Sequence, residues 1–410
     1  LAMLLLSIYG VFRTSRVQTW MAQKTAKYLS EELGTTVQVG GLDISWFLDI
    51  ELQNIRITDK HYRNILKARS LRLDLGKLNR KNRFIGIYAI SLHQGEINLV
   101  RQAADSAMNY SFIVDYFSPH DTTPADTTLK PWKLGISGIR LKDCSFSYND
   151  ELYQPISDGV DYNHLNINNL NLDIRKLAIA GDSITARLKT LSLKEKSGFV
   201  LTDLSAVFSV KPTQISANNL HILTPASHIK MNLSFSHSGF NAYNSFIDSV
   251  KMTGDFRETS LNLNDISYFA PEIKGMDNEI KIAGLVKGTV ASLKSKNLQL
   301  ALGKQTIFEG NVNMDGLPDI TETFIHLKVK KFKTDYYDLA NFKLPGYKNL
   351  EIPEAAKNAG IIGVTGYFTG FINDFVSSAD FKTGLGTLKT DLSLKTISKN
   401  NIAYDGHLSL

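Results

Sequence analysis

The sequence contains a single cysteine, Cys144, and this scarcity limits the possible folds. One thiol cannot form an internal disulfide, so a disulfide-stapled secreted scaffold is excluded, while the cellular compartment stays open. Cys144 lies in the stretch LKDCSFSY, whose alternation is typical of a strand. A small buried side chain is therefore a better interpretation of Cys144 than a nucleophile.

The sequence also lacks the common motifs of catalysis. It has no G-x-S-x-G elbow, no Walker loop and no dinucleotide-binding fingerprint. The nine histidines are scattered, without a cysteine or carboxylate cluster at the spacing of metal ligands. Over 410 residues, these absences favour a protein that is not an enzyme and that uses no cofactor and no metal.

No long hydrophobic run occurs either. The first twelve residues, LAMLLLSIYGVF, are almost uniformly apolar and are followed by Arg13 and Arg16. A full membrane span needs about 20 such residues, and a signal peptide begins with Met and a charged region. We therefore predict that residues 1–14 are the end of a transmembrane helix, with a buried core helix as the alternative. Arginines in this position usually mark the cytoplasmic side.

Charge of either sign is not in large excess, since the formal net charge is only +6. The densest basic cluster is GKLNRKNRF, between two candidate strands, with Lys77, Arg80, Lys81 and Arg83. A solvated hairpin tip is the simpler interpretation. The alternative is contact with anionic lipid headgroups, where each basic residue contributes about 1 kcal/mol. Aromatic residues do not alternate with the basic ones, so no nucleic acid partner is expected.

Residues 15–34 are predicted to form an amphipathic helix next to the membrane, with Gly34 as its stop signal. The apolar stripe expected on this helix consists of Val17, Trp20, Met21, Tyr28 and Leu33.

From Thr35 onwards the hydrophobic pattern changes to a period of two, which indicates strands joined by polar turns. We predict an N-terminal β region over 35–117, a polar loop over 118–131 that serves as the internal boundary, and further β repeats over 132–410. The chain ends within an alternating pattern, so we expect it to be truncated there. Short helices are expected at 242–250, 264–270, 335–342 and 353–359, and none is long enough to cover a sheet.

The clearest alternation is in residues 293–316, LKSKNLQLALGKQTIFEGNVNMDG, which indicate two strands with one apolar face and one polar face. Because covering elements are scarce, we predict that such sides form the lining of an open hydrophobic groove. An ordinary core between two sheets is the alternative for each set. The candidate lining residues are Ile229, Met231, Leu233, Phe235, Leu298, Leu300, Leu302, Phe308, Val312, Met314, Ile325, Leu327, Val329, Leu388, Leu392 and Leu394.

Several stretches carry a resemblance to TamB proteins of the AsmA-like superfamily, and together they extend over nearly the whole chain. The start resembles that family through VQTWMAQKTAKYLSEELGTTVQVGGLDISWF and DIELQNIRITD. Its later repeats are similar to NLHILTPASHIKMNLSFS, LNLNDISYFAP and GTVASLKSKNLQLALGKQTIFEGNVNMDGLPDI. These similarities rest on the order and patterning of segments, and not on catalytic signatures.

The resemblance implies a mainly β fold: a membrane-anchored helix followed by an elongated, curled, mostly antiparallel sheet that forms a hydrophobic groove. It implies an anchor in the inner membrane with the bulk of the chain in the periplasm. The implied function is a bridge-like conduit for phospholipids between the inner and outer membranes of a Gram-negative envelope. An Omp85-type outer-membrane protein is implied as a partner through a C-terminal part that this sequence lacks.

Two other functions compete with the conduit. One is a scaffold or chaperone for outer-membrane β-barrel proteins, which binds its clients at exposed strand edges. The other is an extracellular β-solenoid adhesin or glycan lyase, against which the apolar start and the lack of a carboxylate and basic cluster argue.

Overall fold

The computed structural model describes residues 14–45, 49–104, 107–118, 133–398 and 401–410. The chain is mainly β, with long, mostly antiparallel and open sheets, which confirms that part of the predicted fold. The strands are β1 Val37–Gln38, β2 Gly41–Ile44, β3 Ile50–Thr58, β4 Asn64–Asn79, β5 Phe84–Arg101, β6 Lys133–Ile136, β7 Gly138–Asp150, β8 His164–Ala180, β9 Ser183–Glu195, β10 Val200–Leu201, β11 Asp203–Lys211, β12 Gln214–Leu223, β13 His228–Ser236, β14 Lys251–Asn262, β15 Glu279–Gly288, β16 Ser292–Leu302, β17 Thr306–Asp315, β18 Phe324–Asp335, β19 Lys343–Leu344, β20 Lys348–Asn349, β21 Ile361–Phe371, β22 Asp374–Thr383, β23 Gly386–Ser398 and β24 Asn401–Ser409.

Helices are few and short, apart from the first. The α-helices are α1 Ser15–Leu33, α2 Ser111–Phe117, α3 Phe246–Ser249, α4 Leu263–Ser267 and α5 Tyr336–Ala340. Short 3₁₀ helices lie at Phe240–Ser245, Pro271–Ile273, Pro345–Tyr347 and Glu354–Ala359. Helical turns therefore occur in all four segments where the sequence predicts short helices.

The chain divides into two compact units, which we describe separately. Unit 1 consists of Leu1–Ile179 and Thr185–Leu204, and unit 2 of Ala180–Ile184 and Ser205–Leu410. The division does not coincide with the polar loop predicted at 118–131, most of which lies outside the described residues. Strands on either side of that loop pair directly, since Ile90 of β5 faces Ile139 of β7.

Unit 1 begins with an antiparallel ladder in which β3 pairs with β1, β2 and β4, and β4 pairs with β5. β5 then pairs in parallel with β6 and β7, after which β7 pairs antiparallel with β8. A parallel pair requires a crossover connection, and the chain between β5 and β6 is long enough to provide it. A buried cluster in this unit consists of Ala68, Leu92, Cys144 and Leu170, so Cys144 is a core residue.

Unit 2 contains a simpler ladder. Each strand from β12 to β18 pairs antiparallel with the next, β18 pairs with β21, and the order continues to β24. β19 and β20 form a separate two-stranded pair. No pairing between described strands closes this ladder into a ring.

Helix α1 ends at Gly34, which adopts the left-handed conformation with φ 64° and donates its N–H to the carbonyl of Ser30. In the apolar stripe predicted for α1, Trp20, Met21 and Tyr28 are exposed, so these side chains do not pack against the sheet. The buried residues of α1 are instead Gln18, Ala26 and Leu33.

Polar side chains of α1 bind the backbone of the first two strands. Gln18 Oε1 accepts from the N–H of Ile44 at 2.9 Å, and Thr19 Oγ1 accepts from the N–H of Leu42 at 3.1 Å. Ser30 Oγ accepts from the N–H of Val37 at 2.8 Å and donates to the carbonyl of the same residue at 2.9 Å. These contacts satisfy backbone groups that a strand edge otherwise leaves open to pairing with another chain.

The transmembrane segment predicted at 1–14 lies, except for Thr14, outside the described residues. Among the helices that the structure describes, none is both long and apolar enough to cross a membrane.

Candidate functional site on the apolar face of unit 2

The strand register of unit 2 places the candidate lining residues on one face, which we call the apolar face. At its centre Leu300 of β16 lies opposite Ile282 of β15 and Phe308 of β17. Phe308 in turn lies opposite Phe332 of β18. Directly facing side chains in adjacent strands share one side of a sheet, so these four residues form a continuous apolar row.

A second row runs parallel to the first, nearer the C-terminal end of β17. Val312 lies opposite Leu327, and Leu327 lies opposite Phe368 of β21. Beyond it, Met314 faces Ile325. The candidates in β16, β17 and β18 therefore come together as neighbours, as the sequence pattern requires for a common surface.

The remaining candidates extend this face in both directions along the ladder. Met231 and Phe235 of β13 face Phe256 and Met252 of β14. At the far side, Leu388 of β23 lies opposite Phe381 of β22. The set is not a single cluster, because β13 and β23 are separated by the intervening strands.

The register also adds residues that the sequence pattern did not select. Phe256, Ile282, Phe332, Phe368 and Phe381 all lie on the apolar face, opposite residues already named. Phe332 is three residues after Val329, because a register shift separates them in β18. A strict period of two cannot follow a strand through such a bulge.

The apolar face is only partly buried. Each of the candidate lining residues is half-buried, and none belongs to the buried hydrophobic residues, which in unit 2 are Ala206, Ala217, Leu220 and Val250. One local cover exists, where the ring of Phe246 in α3 lies 5.8 Å from that of Phe235. A side chain sealed between two sheets would be largely buried, so this exposure disfavours the ordinary two-sheet core.

A cavity of about 540 Å³ lies where β14 to β18 meet. Its lining includes Leu300, Ile282 and Phe308 of the apolar row, but most of its lining residues occupy the alternating positions of the polar face. Gln299 is one of those, and it pairs with Glu309 on the opposite, polar face. The cavity therefore has a mixed lining, and Gln299 is not a position remote from Leu300.

The strands of both units contain β-bulges held by asparagine side chains. In unit 2, the N–H of Asn219 donates to Asn232 Oδ1 at 2.8 Å, and the N–H of Asn297 donates to Asn311 Oδ1 at 2.9 Å. Asn219 and Asn297 both have positive φ, 50° and 52°. In unit 1 the N–H of Asp143, with φ 52°, donates to the side chain of an asparagine in β8 in the same manner. Bulges bend a strand and increase its twist.

At one end of unit 2, Asp338 fastens α5 to the turn between β16 and β17. Its carboxylate accepts from the N–H groups of Lys304, Gln305 and Thr306 and from Thr306 Oγ1 at 2.7 to 3.1 Å. Burial alone would raise the pKa of Asp338, but these donors outweigh it and hold that pKa below its ordinary value. The clamp fixes the hairpin that carries the central residues of the apolar face.

The basic residues Lys77, Arg80, Lys81 and Arg83 lie at the tip of the β4–β5 hairpin in unit 1. The first three are exposed and Arg83 is half-buried. They belong to unit 1, whereas the apolar face belongs to unit 2.

The described residues contain no group of three or more His, Cys, Asp or Glu side chains that could hold a metal ion. No protein-family profile, no curated protein and no solved structure matches the chain.

Proposed function

We propose that this chain is a segment of a conduit that carries phospholipids between the inner and outer membranes of a Gram-negative envelope. The observation that supports it is the apolar face of unit 2, whose side chains remain partly exposed over many strands. Acyl chains gain about 0.8 kcal/mol for each CH₂ group removed from water. Such a face would give them an apolar surface without any chemical step.

Beside the second row of the apolar face, the polar face carries polar side chains. Opposite the row of Leu327 and Val312, the alternating positions hold Lys328 and Asn311, which face each other. In the proposed arrangement, acyl chains lie on the apolar face while headgroups stay in water. Membrane anchoring at the N-terminus and a periplasmic location belong to the same proposal, and both rest on the resemblance to AsmA-like proteins.

The test is photo-crosslinking in cells with a photoreactive amino acid at Leu300 and, in a second variant, at Leu327. The matched control is Lys328, the immediate neighbour of Leu327 on the polar face. We expect phospholipid adducts, identified by mass spectrometry, at Leu300 and Leu327 and none at Lys328. Gln299 is unsuitable as a control because it lines the same cavity as Leu300.

A charge on the apolar face gives a second readout. The Leu300→Asp substitution places an ionised group where an acyl chain would lie, and burying such a charge without a partner is strongly unfavourable. We expect loss of lipid adducts at Leu327 and loss of transport, with the fold retained by circular dichroism. A folded Leu300→Asp variant with normal transport, or protein adducts in place of lipid, would refute the conduit and favour the chaperone function.

A further inference from the structure

The β4–β5 hairpin tip, the start of the first helix and the end of β2 lie at one end of unit 1. Gln18 contacts Ile44 and Ser30 contacts Val37, so α1 runs antiparallel to β1 and β2. The N-terminus of α1 therefore lies beside Ile44. Ile44 pairs with Ile50, which in turn pairs with a leucine of β4 at position 73. β4 then continues in the same direction to its last residue at position 79.

The tip therefore projects beyond the start of α1. The six residues after Leu73 would span about 20 Å in a regular strand, and the two register shifts that β4 contains between Asp74 and Leu78 shorten this distance. The chain enters the described part of unit 1 at Thr14, which is at this same end, and the apolar run of residues 1–12 precedes it in the sequence.

Apolar side chains are exposed at the tip, where solvent alone would not favour them. Leu78 is 54% exposed and Leu134 of β6 is 61% exposed. Both are in register with Ile85, since Leu78 pairs with Ile85 and Ile85 pairs with Leu134. The three residues thus form one apolar strip on a single side of the tip. Trp20, 58% exposed near the start of α1, adds an aromatic residue at this end.

The charged side chains of the tip and of β6 are all basic. Lys77, Arg80, Lys81 and Lys133 are exposed, and neither 76–87 nor 133–138 contains an acidic residue. The nearest preceding carboxylate on β4, at position 74, is already paired with the guanidinium groups at positions 72 and 140, at 2.6 Å and 3.5 Å. No acidic side chain within those two segments therefore offsets the positive charge of the tip.

We infer that this end of unit 1 docks on an anionic lipid bilayer, with Leu78, Ile85 and Leu134 entering the interface and the basic residues contacting headgroup phosphates. Apolar side chains ringed by lysine and arginine are the combination that binds a membrane surface. A folded protein partner with an acidic groove would meet the same charges, and vesicles that carry no protein separate the two cases. The inference does not depend on the lipid path along unit 2.

The experiment places an environment-sensitive NBD fluorophore on the full chain through Leu78→Cys. Cys144 is 2% exposed, so the introduced thiol is labelled selectively. The matched control is Tyr62→Cys, since Tyr62 is 70% exposed at the β3–β4 turn, at the other end of β4. Vesicles contain either phosphatidylcholine alone or phosphatidylcholine with about 30% phosphatidylglycerol, a probe composition chosen for its charge.

With anionic vesicles we expect the emission at residue 78 to shift to the blue, and the emission at residue 62 to stay unchanged. The triple variant Lys77→Gln, Arg80→Gln, Lys81→Gln should raise the half-maximal lipid concentration roughly 100-fold, because each basic residue contributes about five-fold. The control triple Lys294→Gln, Lys296→Gln, Lys328→Gln removes the same charge from unit 2 and should leave the response at residue 78 unchanged.

The inference would be overturned by the absence of a shift at residue 78, by an equal shift at residue 62, or by an equal effect of the two triple variants. A shift at residue 78 that appears only with an acidic protein and never with vesicles would also overturn it, and would assign the tip to a protein partner. Since these readouts do not measure transport, they can succeed when the crosslinks at Leu300 fail, and the reverse.

Discussion

At the scale of single residues, the clearest constraint is at Gly366 in the middle of β21. Its φ is 152°, and a Cβ there would lie 2.1 Å from the carbonyl oxygen of Ser378 in the neighbouring strand. Gly363, in the same strand, has ordinary backbone geometry, and its nearest neighbour to an added Cβ is at 3.7 Å. The two glycines look alike in the sequence but differ in what surrounds them.

We expect Gly366→Ala to lower the free energy of unfolding by about 3 kcal/mol, because the backbone of β22 must move to admit the methyl group. Gly363→Ala should change it by less than about 1 kcal/mol, since the contacts are ordinary and alanine restricts the unfolded chain. Urea denaturation followed by circular dichroism measures both. Equal effects of the two substitutions would show that the close approach at Gly366 does not control β21.

The sequence pattern predicted much of the apolar face at this scale, and its failures have a physical cause. Alternation selected neighbouring apolar positions that share a face, as at Ile325, Leu327 and Val329 of β18, although it missed Phe381 in the regular strand β22. Phe332 escaped the pattern because the bulge before it changes the phase of the alternation. A bulge is held by a side chain from the neighbouring strand, and the Oδ1 of Asn311 has this role for the N–H of Asn297. The sequence of one strand alone does not reveal that partner.

At the scale of elements, α1 shows that the apolar stripe of a helix does not always identify the side that faces the sheet. The stripe assumes that a helix packs on an apolar surface, whereas α1 lies along the backbone of β1 and β2. An unpaired strand backbone needs hydrogen-bond acceptors and donors, so Gln18, Thr19 and Ser30 face inwards. Only Leu33 of the predicted stripe is buried.

Gln18 is 5% exposed, and its side chain is the acceptor for the N–H of Ile44. We expect Gln18→Ala to lower the free energy of unfolding of unit 1 by about 1–3 kcal/mol, because a buried backbone donor loses its partner. The matched control is Gln23→Ala on the same helix, where the side chain is exposed and its contact with the carbonyl of Gly40 is long, at 3.4 Å.

Urea denaturation of both glutamine variants tests this role of α1. The control should lie within about 0.5 kcal/mol of the parent chain, as surface substitutions usually do. If Gln18→Ala is as stable as Gln23→Ala, the hydrogen bond of Gln18 to the N–H of Ile44 contributes nothing to stability.

At the scale of the whole molecule, buried and hydrogen-bonded carboxylates set the response to acid. Burial raises the pKa values of Asp150, Asp161, Glu195 and Asp338, but hydrogen-bond donors outweigh it and leave each pKa below its ordinary value. A carboxylate whose pKa is lower in the folded state stabilises the fold above its unfolded pKa, and this stabilisation is lost as the pH falls through the folded pKa.

We therefore expect the melting temperature to be nearly constant from pH 7 to about pH 5 and to fall below about pH 4, where ordinary carboxylates titrate. Thermal unfolding followed by circular dichroism measures it. Asp338→Asn should be less stable than the parent by roughly 1–3 kcal/mol at pH 7, because several donors lose a charged acceptor. The difference should shrink on acidification, and a difference that grows instead would contradict the role of this carboxylate.

The asparagine-held bulges determine how a chain of this type can change its length. Each bulge is held by a hydrogen bond between two neighbouring strands, as with Asn219 and Asn232. The alternation of side chains between the two faces of a hairpin therefore does not depend on distant strands. Loss of a single residue would invert every side chain beyond it, and loss of a single strand would reverse the chain direction. Deletion or duplication of a whole hairpin preserves both the side-chain orientation and the chain direction. Evolution can therefore shorten or extend the sheet in steps of two strands while the apolar face stays continuous.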